Sequence, residues 1–159
     1  MLIFESGLDA ATGLPGKAQA QQALFNAAAS ADGKYLLAAV ITRVPALVRR
    51  FGPEAGDRAL AMAAEHFRKA LVPHDLLYRW DGPVLLAILP RAERIDLVRS
   101  MARRFASEKL DVPVEVGQHK LLFPVSASWA VFQFLPPVED LIRVVDAFVA
   151  VQISSDGLR

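Results

Sequence analysis

The sequence predicts an α+β fold with a ferredoxin-like βαββαβ core. Three observations point there. A nearly all-apolar run fills 35–42, as expected of a strand covered on both faces. Two strand-like runs flank Asp81-Gly82-Pro83, and Asp-Gly between apolar runs is a hairpin signature. Amphipathic helical stretches precede and follow that hairpin, giving the strand-helix-strand-strand-helix-strand order of the split βαβ arrangement. A chain of 159 residues fits one domain, taken as 1–159 with residues 1–16 as a lead-in.

The elements follow in order. Residues 7–16 (Gly-Leu-Asp-Ala-Ala-Thr-Gly-Leu-Pro-Gly) are dense in turn formers. A helix is expected over about 17–30, with Leu24, Phe25 and Ala28 on one face and Asp32-Gly33 ending it. After the strand at 35–42, two helical pieces at 45–51 and 53–71 are separated by Gly52-Pro53; the second has Leu60, Ala63, Ala64, Phe67 and Leu71 at helical spacing. Strands are expected at 75–80 and 84–89, with Pro90 closing the hairpin. Residues 92–107 return to helical spacing with Ile95, Val98, Met101, Ala102 and Phe105. Strand-like runs near 112–116 and 120–134 make a late hairpin, and Pro136-Pro137 opens a last helix through about Val151.

Composition excludes several function classes. Hydrophobic residues make up 53% of the chain, enough for a real core. Lys plus Arg total 18 against 17 Asp plus Glu, so bulk charge gives no basis for nucleic-acid binding. With no cysteine, disulfides, thiolate zinc sites and a cysteine nucleophile are excluded. Apolar stretches fall short of the roughly 20 residues that span a bilayer, so no membrane insertion is expected. Met1 to Phe4 is apolar but short and is followed by Glu5 and Asp9, which does not read as a signal peptide. A cytoplasmic domain is the expectation.

Three segments carry a more specific signal: Asp9-Ala-Ala-Thr-Gly-Leu-Pro-Gly-Lys17, Phe51-Gly-Pro-Glu-Ala-Gly-Asp-Arg-Ala-Leu60 and Asp75-Leu-Leu-Tyr-Arg-Trp-Asp-Gly-Pro-Val-Leu85. In order and spacing they resemble D-x-L-T-G-L-x-N-R, Y-G-H-x-x-G-D-x-x-L and D-x-x-x-R-Y-G-G-D-E-F, the motifs of GGDEF diguanylate cyclase domains. Weaker echoes lie at Val125-Ser-Ala-Ser128 and Val145-Asp146. The resemblance covers about 9–155. It implies the palm-like α+β domain of nucleotidyl cyclases, and an activity in which two facing domains condense two GTP molecules into cyclic di-GMP.

The departures from those motifs decide the function. The signature reads Asp81-Gly82-Pro83-Val84-Leu85, so the family's catalytic, metal-binding glutamate falls at Val84 and the acid before it at Pro83. The metal-binding Asp of the first strand falls at Val40, the guanine-reading Asn at Val48, and the phosphate-capping Phe-Lys pair at Val44-Pro45. The late-helix Lys falls near Ile153. Magnesium needs oxygen ligands, and valine has none to give. A triphosphate pressed against Val40 and Val84 loses hydration without a compensating cation, at a cost of at least several kcal/mol. No metal, cofactor or catalytic residue is therefore expected. Asp57 survives as a guanine contact and Arg79 just before the signature, with Arg43 as a further phosphate contact; these three are the candidate residual nucleotide site. Asp81 reads as a turn residue. The product-binding inhibitory motif R-x-x-D keeps only Asp75, since its Arg falls at Val72, and Asp75 reads as a strand-start or turn residue.

Other motifs have plain readings. Residues 11–18 imitate a phosphate-binding loop, but Ala11 and Ala18 stand where Gly and Ser or Thr are required. His66, His74 and His119 lack metal-ligand spacing. Ser126 and Ser128 lack a nucleophile elbow. Arginines at 43, 49, 50 and 58, and at 91, 94, 99, 103 and 104, alternate with acids as solvated helix faces do. The last helix is apolar on more than one narrow stripe, from Val138 to Val151, and serves either as a well-covered core helix or as a contact with another subunit or domain. The expected function is a catalytically inactive regulatory or protein-interaction module in bacterial cyclic di-GMP signalling. Its expected partner is a protein or a neighbouring domain of a larger signalling protein, or a second copy in a homodimer. The alternative is a non-catalytic sensor of GTP or cyclic di-GMP.

Overall fold

A computed structural model describes residues 7–29, 33–135 and 137–157. Its elements are α1 (Lys17–Ala28), β1 (Lys34–Ile41), α2 (Val44–Phe51), α3 (Pro53–Ala70), β2 (Leu76–Arg79), β3 (Val84–Pro90), α4 (Ile95–Ala106), β4 (Leu110–Val116), β5 (His119–Val125), β6 (Ala127–Gln133) and α5 (Val138–Gly157). The core sheet has the order β2-β3-β1-β6, with every neighbouring pair antiparallel. That is the βαββαβ arrangement expected from the pattern, with α2 and α3 together as the first crossover and α4 as the second.

Period-2 alternation along the central strands gives the sheet two apolar faces. Tyr35, Leu37, Ala39 and Ile41 of β1 join Leu85, Ala87 and Leu89 of β3 in one core, closed by α2, α3 and α4. Leu36, Ala38 and Val40 join Val84, Leu86 and Ile88 in a second core, closed by α1 and α5. Each fully buried Leu or Ile contributes roughly 1.5–3 kcal/mol, which fixes the register, since a one-residue slip would exchange the two faces. On the first face, Gly56 of α3 has no Cβ where one would lie 2.5 Å from Val48 Cγ2, so glycine lets α2 sit close. Phe67 of α3 meets Phe105 of α4 edge to face at 5.2 Å.

Several boundaries, and the placing of one hairpin, differ from the sequence reading. The run at 120–134 is two strands: Thr42 N–H and Oγ1 donate to the Ser126 carbonyl at 2.7 and 3.2 Å, and the chain turns there from ribbon to core sheet. β4 and β5 form a separate two-stranded sheet, whose Pro113 and Pro124 carbonyls accept from Arg58 Nη1 at 2.9 Å and Arg43 Nη1 at 3.2 Å. The fourth helix begins at Ile95 rather than 92, and α5 continues past Val151 to Gly157. Residues 1–6 of the lead-in, Asp32 at the end of the first helix, and Pro136 lie outside the described residues. Among the described residues, no helix is long and apolar enough to cross a membrane.

Candidate functional site

The hairpin between β2 and β3 turns through Asp81-Gly82-Pro83, with Trp80 N–H donating to the Val84 carbonyl at 2.9 Å. Gly82 has φ +59°, the left-handed conformation that such a tight turn requires and that glycine adopts without strain. On the other side of β3, Ile41 N–H donates to the Pro83 carbonyl at 2.7 Å. This register sets Val40 directly opposite Val84. Both point into the core under α1 and α5 and are 1% and 0% exposed. The two positions at which the resemblance puts cation-binding carboxylates are thus cross-strand partners in a buried apolar layer. Their side chains offer no oxygen ligand, and these two residues do not fit a divalent cation.

The rim of that layer is closed by side chains that bind one another. Lys17 of α1 forms an ion pair with Asp81 at the hairpin tip and lies 4.9 Å from the centre of the Trp80 ring. Trp80 Nε1–H donates to Asp146 Oδ1 of α5 at 3.1 Å. Asp81 is therefore a turn residue with a partner.

Arg79 is equally committed. Its Nε donates to the Gly82 carbonyl at 2.7 Å and its Nη1 to Asp9 Oδ2 at 3.0 Å. Asp9 in turn accepts from Thr12 N–H at 2.9 Å and Thr12 Oγ1 at 2.7 Å, which folds the 9–14 segment into a turn. Burial pushes the Asp9 carboxyl upward, but the Thr12 hydrogen bonds and the Arg79 charge outweigh it, and the group titrates below its ordinary 3.8. The stretch that imitates a phosphate loop is thus a structural turn. Asp75 behaves similarly. It accepts Val72 N–H at 3.0 Å, as a turn residue does, and its fully buried carboxylate takes Arg91 bidentately, at 2.5 and 2.8 Å.

Beside the hairpin an open groove of about 420 Å³ remains between α2, α3 and the Gly82-Pro83 turn. Its walls are Val44, Pro45, Val48, Leu60 and Pro83, with the Arg49 and Arg79 guanidinium groups at the edge. Of the three candidate nucleotide contacts, only Arg79 lines it. Asp57 is exposed on α3. Arg43 turns away, its guanidinium 4.4 Å from the centre of the Phe123 ring. His66 Nε2 lies 2.9 Å from the Phe105 carbonyl, which requires it to donate, and so ties α3 to α4.

Sequence reasoning did not anticipate the pairs Asp9–Arg79, Lys17–Asp81, Asp75–Arg91 and Trp80–Asp146. The only signal in the chain was that several of these residues sit inside the motifs that carry the resemblance.

The sequence matches the family model described as "Diguanylate cyclase, GGDEF domain" over residues 6–151. No curated protein matches it by sequence. Among solved structures, it is similar to the coiled coil and GGDEF domain of DgcB from Caulobacter crescentus in complex with c-di-GMP. The TM-score is 0.78 at 17% identity, covering 95% of this chain and 82% of that one. The diguanylate cyclase SiaD from Pseudomonas aeruginosa, in complex with its activator SiaC, gives 0.75 at 23% identity, covering 97% and 61%. The FimX GGDEF domain from the same organism gives 0.71 at 16%, covering 89% and 92%. At these identities the likeness is one of fold.

Proposed function

Because the chain belongs to the GGDEF family of diguanylate cyclase domains, we propose that it is a member without cyclase activity, working as a regulatory and protein-interaction domain in cyclic di-GMP signalling. The observation that carries this reading is the Val40–Val84 pair, buried and directly opposed where carboxylates would have to hold a cation. Transfer of a nucleotidyl group needs divalent charge at the phosphates, and a dry aliphatic layer supplies neither ligands nor water to replace them. The groove beside it, walled by Val44, Val48 and Leu60, suits an apolar side chain of a protein better than a purine edge or a polyphosphate. The SiaD–SiaC complex supports the protein-interaction part of the reading in kind, since a diguanylate cyclase of this fold is joined there to a protein partner. We place the domain in the cytoplasm, as one unit over residues 1–159.

The nucleotide-sensor reading is weaker. It needs Arg79 to leave Asp9 and the Gly82 carbonyl, and Arg43 to leave Pro124 and Phe123, before either meets a phosphate.

The test is direct. Purified protein incubated with GTP and Mg²⁺ or Mn²⁺, beside an active GGDEF cyclase, is expected to yield no cyclic di-GMP; clear turnover overturns the proposal. Calorimetric titration with GTP or cyclic di-GMP is expected to give no heat at millimolar ligand. Saturable micromolar binding that weakens in Asp57→Ala decides for the sensor.

A further inference from the structure

The β1–α2 turn is held in an unusual way. Arg43 has φ +68° and is the one non-glycine among the described residues in the left-handed region. A non-glycine residue keeps that conformation only when its surroundings hold it there. Here they do so from separate elements. The Arg43 N–H donates to both carboxylate oxygens of Asp156 in the last turn of α5, at 3.0 and 2.9 Å. The Arg43 side chain is spread over the β5 strand, on the Pro124 carbonyl and the Phe123 ring. Asp156 lies 113 residues from Arg43 in sequence, so the contact exists only while the end of α5 is docked.

What this contact holds is the groove. Arg43 is the cap residue immediately before α2, and Val44, Pro45, Val48 and Arg49 of that helix form the α2 wall of the groove. Pro45 and Arg49 also line a small cleft of about 60 Å³ on the other side of that wall, which Arg43, Asp156 and Gly157 close. One helix wall therefore separates the groove from the α5 contact.

We propose that Asp156 is a releasable clasp through which the last turn of α5 regulates the groove. With the carboxylate in place, Arg43 stays left-handed and α2 stands where the groove needs it. With the last turn of α5 displaced, Arg43 relaxes into an ordinary backbone conformation and the start of α2 moves with it. The regulatory meaning rests on the groove being the working surface of the domain; the coupling itself does not.

Hydrogen exchange on the full chain, read by mass spectrometry, tests the coupling. Asp156→Ala is expected to speed exchange of the amides at 44–51 by about tenfold, the effect of losing one charge-assisted hydrogen bond, while the β1–β3 core is unchanged. Asp156→Asn, which keeps one acceptor oxygen, is expected to lie between. Arg43→Gly added to Asp156→Ala is expected to restore most of the protection, because glycine takes the left-handed conformation without help. Faster exchange confined to 154–157, or no rescue by Arg43→Gly, overturns the clasp. Neither result bears on the cyclase assay, so the two proposals fail separately.

Discussion

Placing a carboxylate at position 40 of the first strand tests the proposed absence of a cation site by its cost. In Val40→Asp, a side chain now 1% exposed is replaced by one that must ionise beneath α1 and α5. Losing the valine burial costs roughly 1.5 kcal/mol. A carboxyl in such a layer has its pKa raised by roughly 3 units, at about 1.36 kcal/mol per unit, so ionisation costs about 4 kcal/mol more. The total, roughly 5.5 kcal/mol, matches the whole stability of a marginal domain. The sign with pH follows. The introduced group has a folded pKa above its unfolded value of about 3.9, so its electrostatic cost is fully present above the folded pKa and fades as pH falls toward 4. Urea unfolding followed by the fluorescence of Trp80 and Trp129 at pH 7.5 and pH 5 measures both quantities. The variant is expected to be barely folded at pH 7.5 and to recover about 2.5 kcal/mol at pH 5. A loss under 1 kcal/mol with no pH dependence, or full recovery at pH 7.5 on adding millimolar Mg²⁺, would mean that the position reaches water or a cation, and the argument from a dry core would fail.

Two further outcomes rest on the ion pairs. Removing either half of the buried Asp75–Arg91 pair, by Asp75→Ala or Arg91→Ala, is expected to cost roughly 3–5 kcal/mol in thermal or urea unfolding, because the other charge is left unpaired; a loss below 1 kcal/mol refutes the burial argument. Asp9 has a depressed pKa, so its contribution is complete above 3.8 and is lost as pH falls through the lower folded value. Asp9→Asn is accordingly expected to flatten the acid limb of stability between pH 5 and 3, and an unchanged slope would assign that limb to other groups.

The chain declares its fold through local signals. The apolar run at 35–42, the Asp81-Gly82 turn and the helical spacing of 53–71 suffice to order the core strands, because each depends on near neighbours in sequence. The break at Ser126 carries no comparable signal; it is made by Thr42, which reaches it across the sheet. The extension of α5 past Val151 is equally hidden, since Ser154-Ser155-Asp156-Gly157 is poor helical sequence, and Asp156 of the last turn is held by the distant Arg43 N–H. The site divides in the same way. That positions 40 and 84 are aliphatic is plain from the residues alone, whereas their direct opposition is a matter of register. Asp75 reads correctly as a turn residue, yet its Arg91 partner is visible only after folding.

The β4–β5 ribbon invites recruitment by a stray polypeptide, because a two-stranded sheet has two open flanks. In antiparallel pairing a residue's amide and carbonyl look to the same side. At Pro113 and Pro124 the carbonyls are already taken by arginines, Arg58 on one flank and Arg43 on the other, and proline has no amide hydrogen to offer beside them. Each flank thus carries one rung that cannot be copied by an incoming chain, and the ribbon is protected against growing into an intermolecular stack.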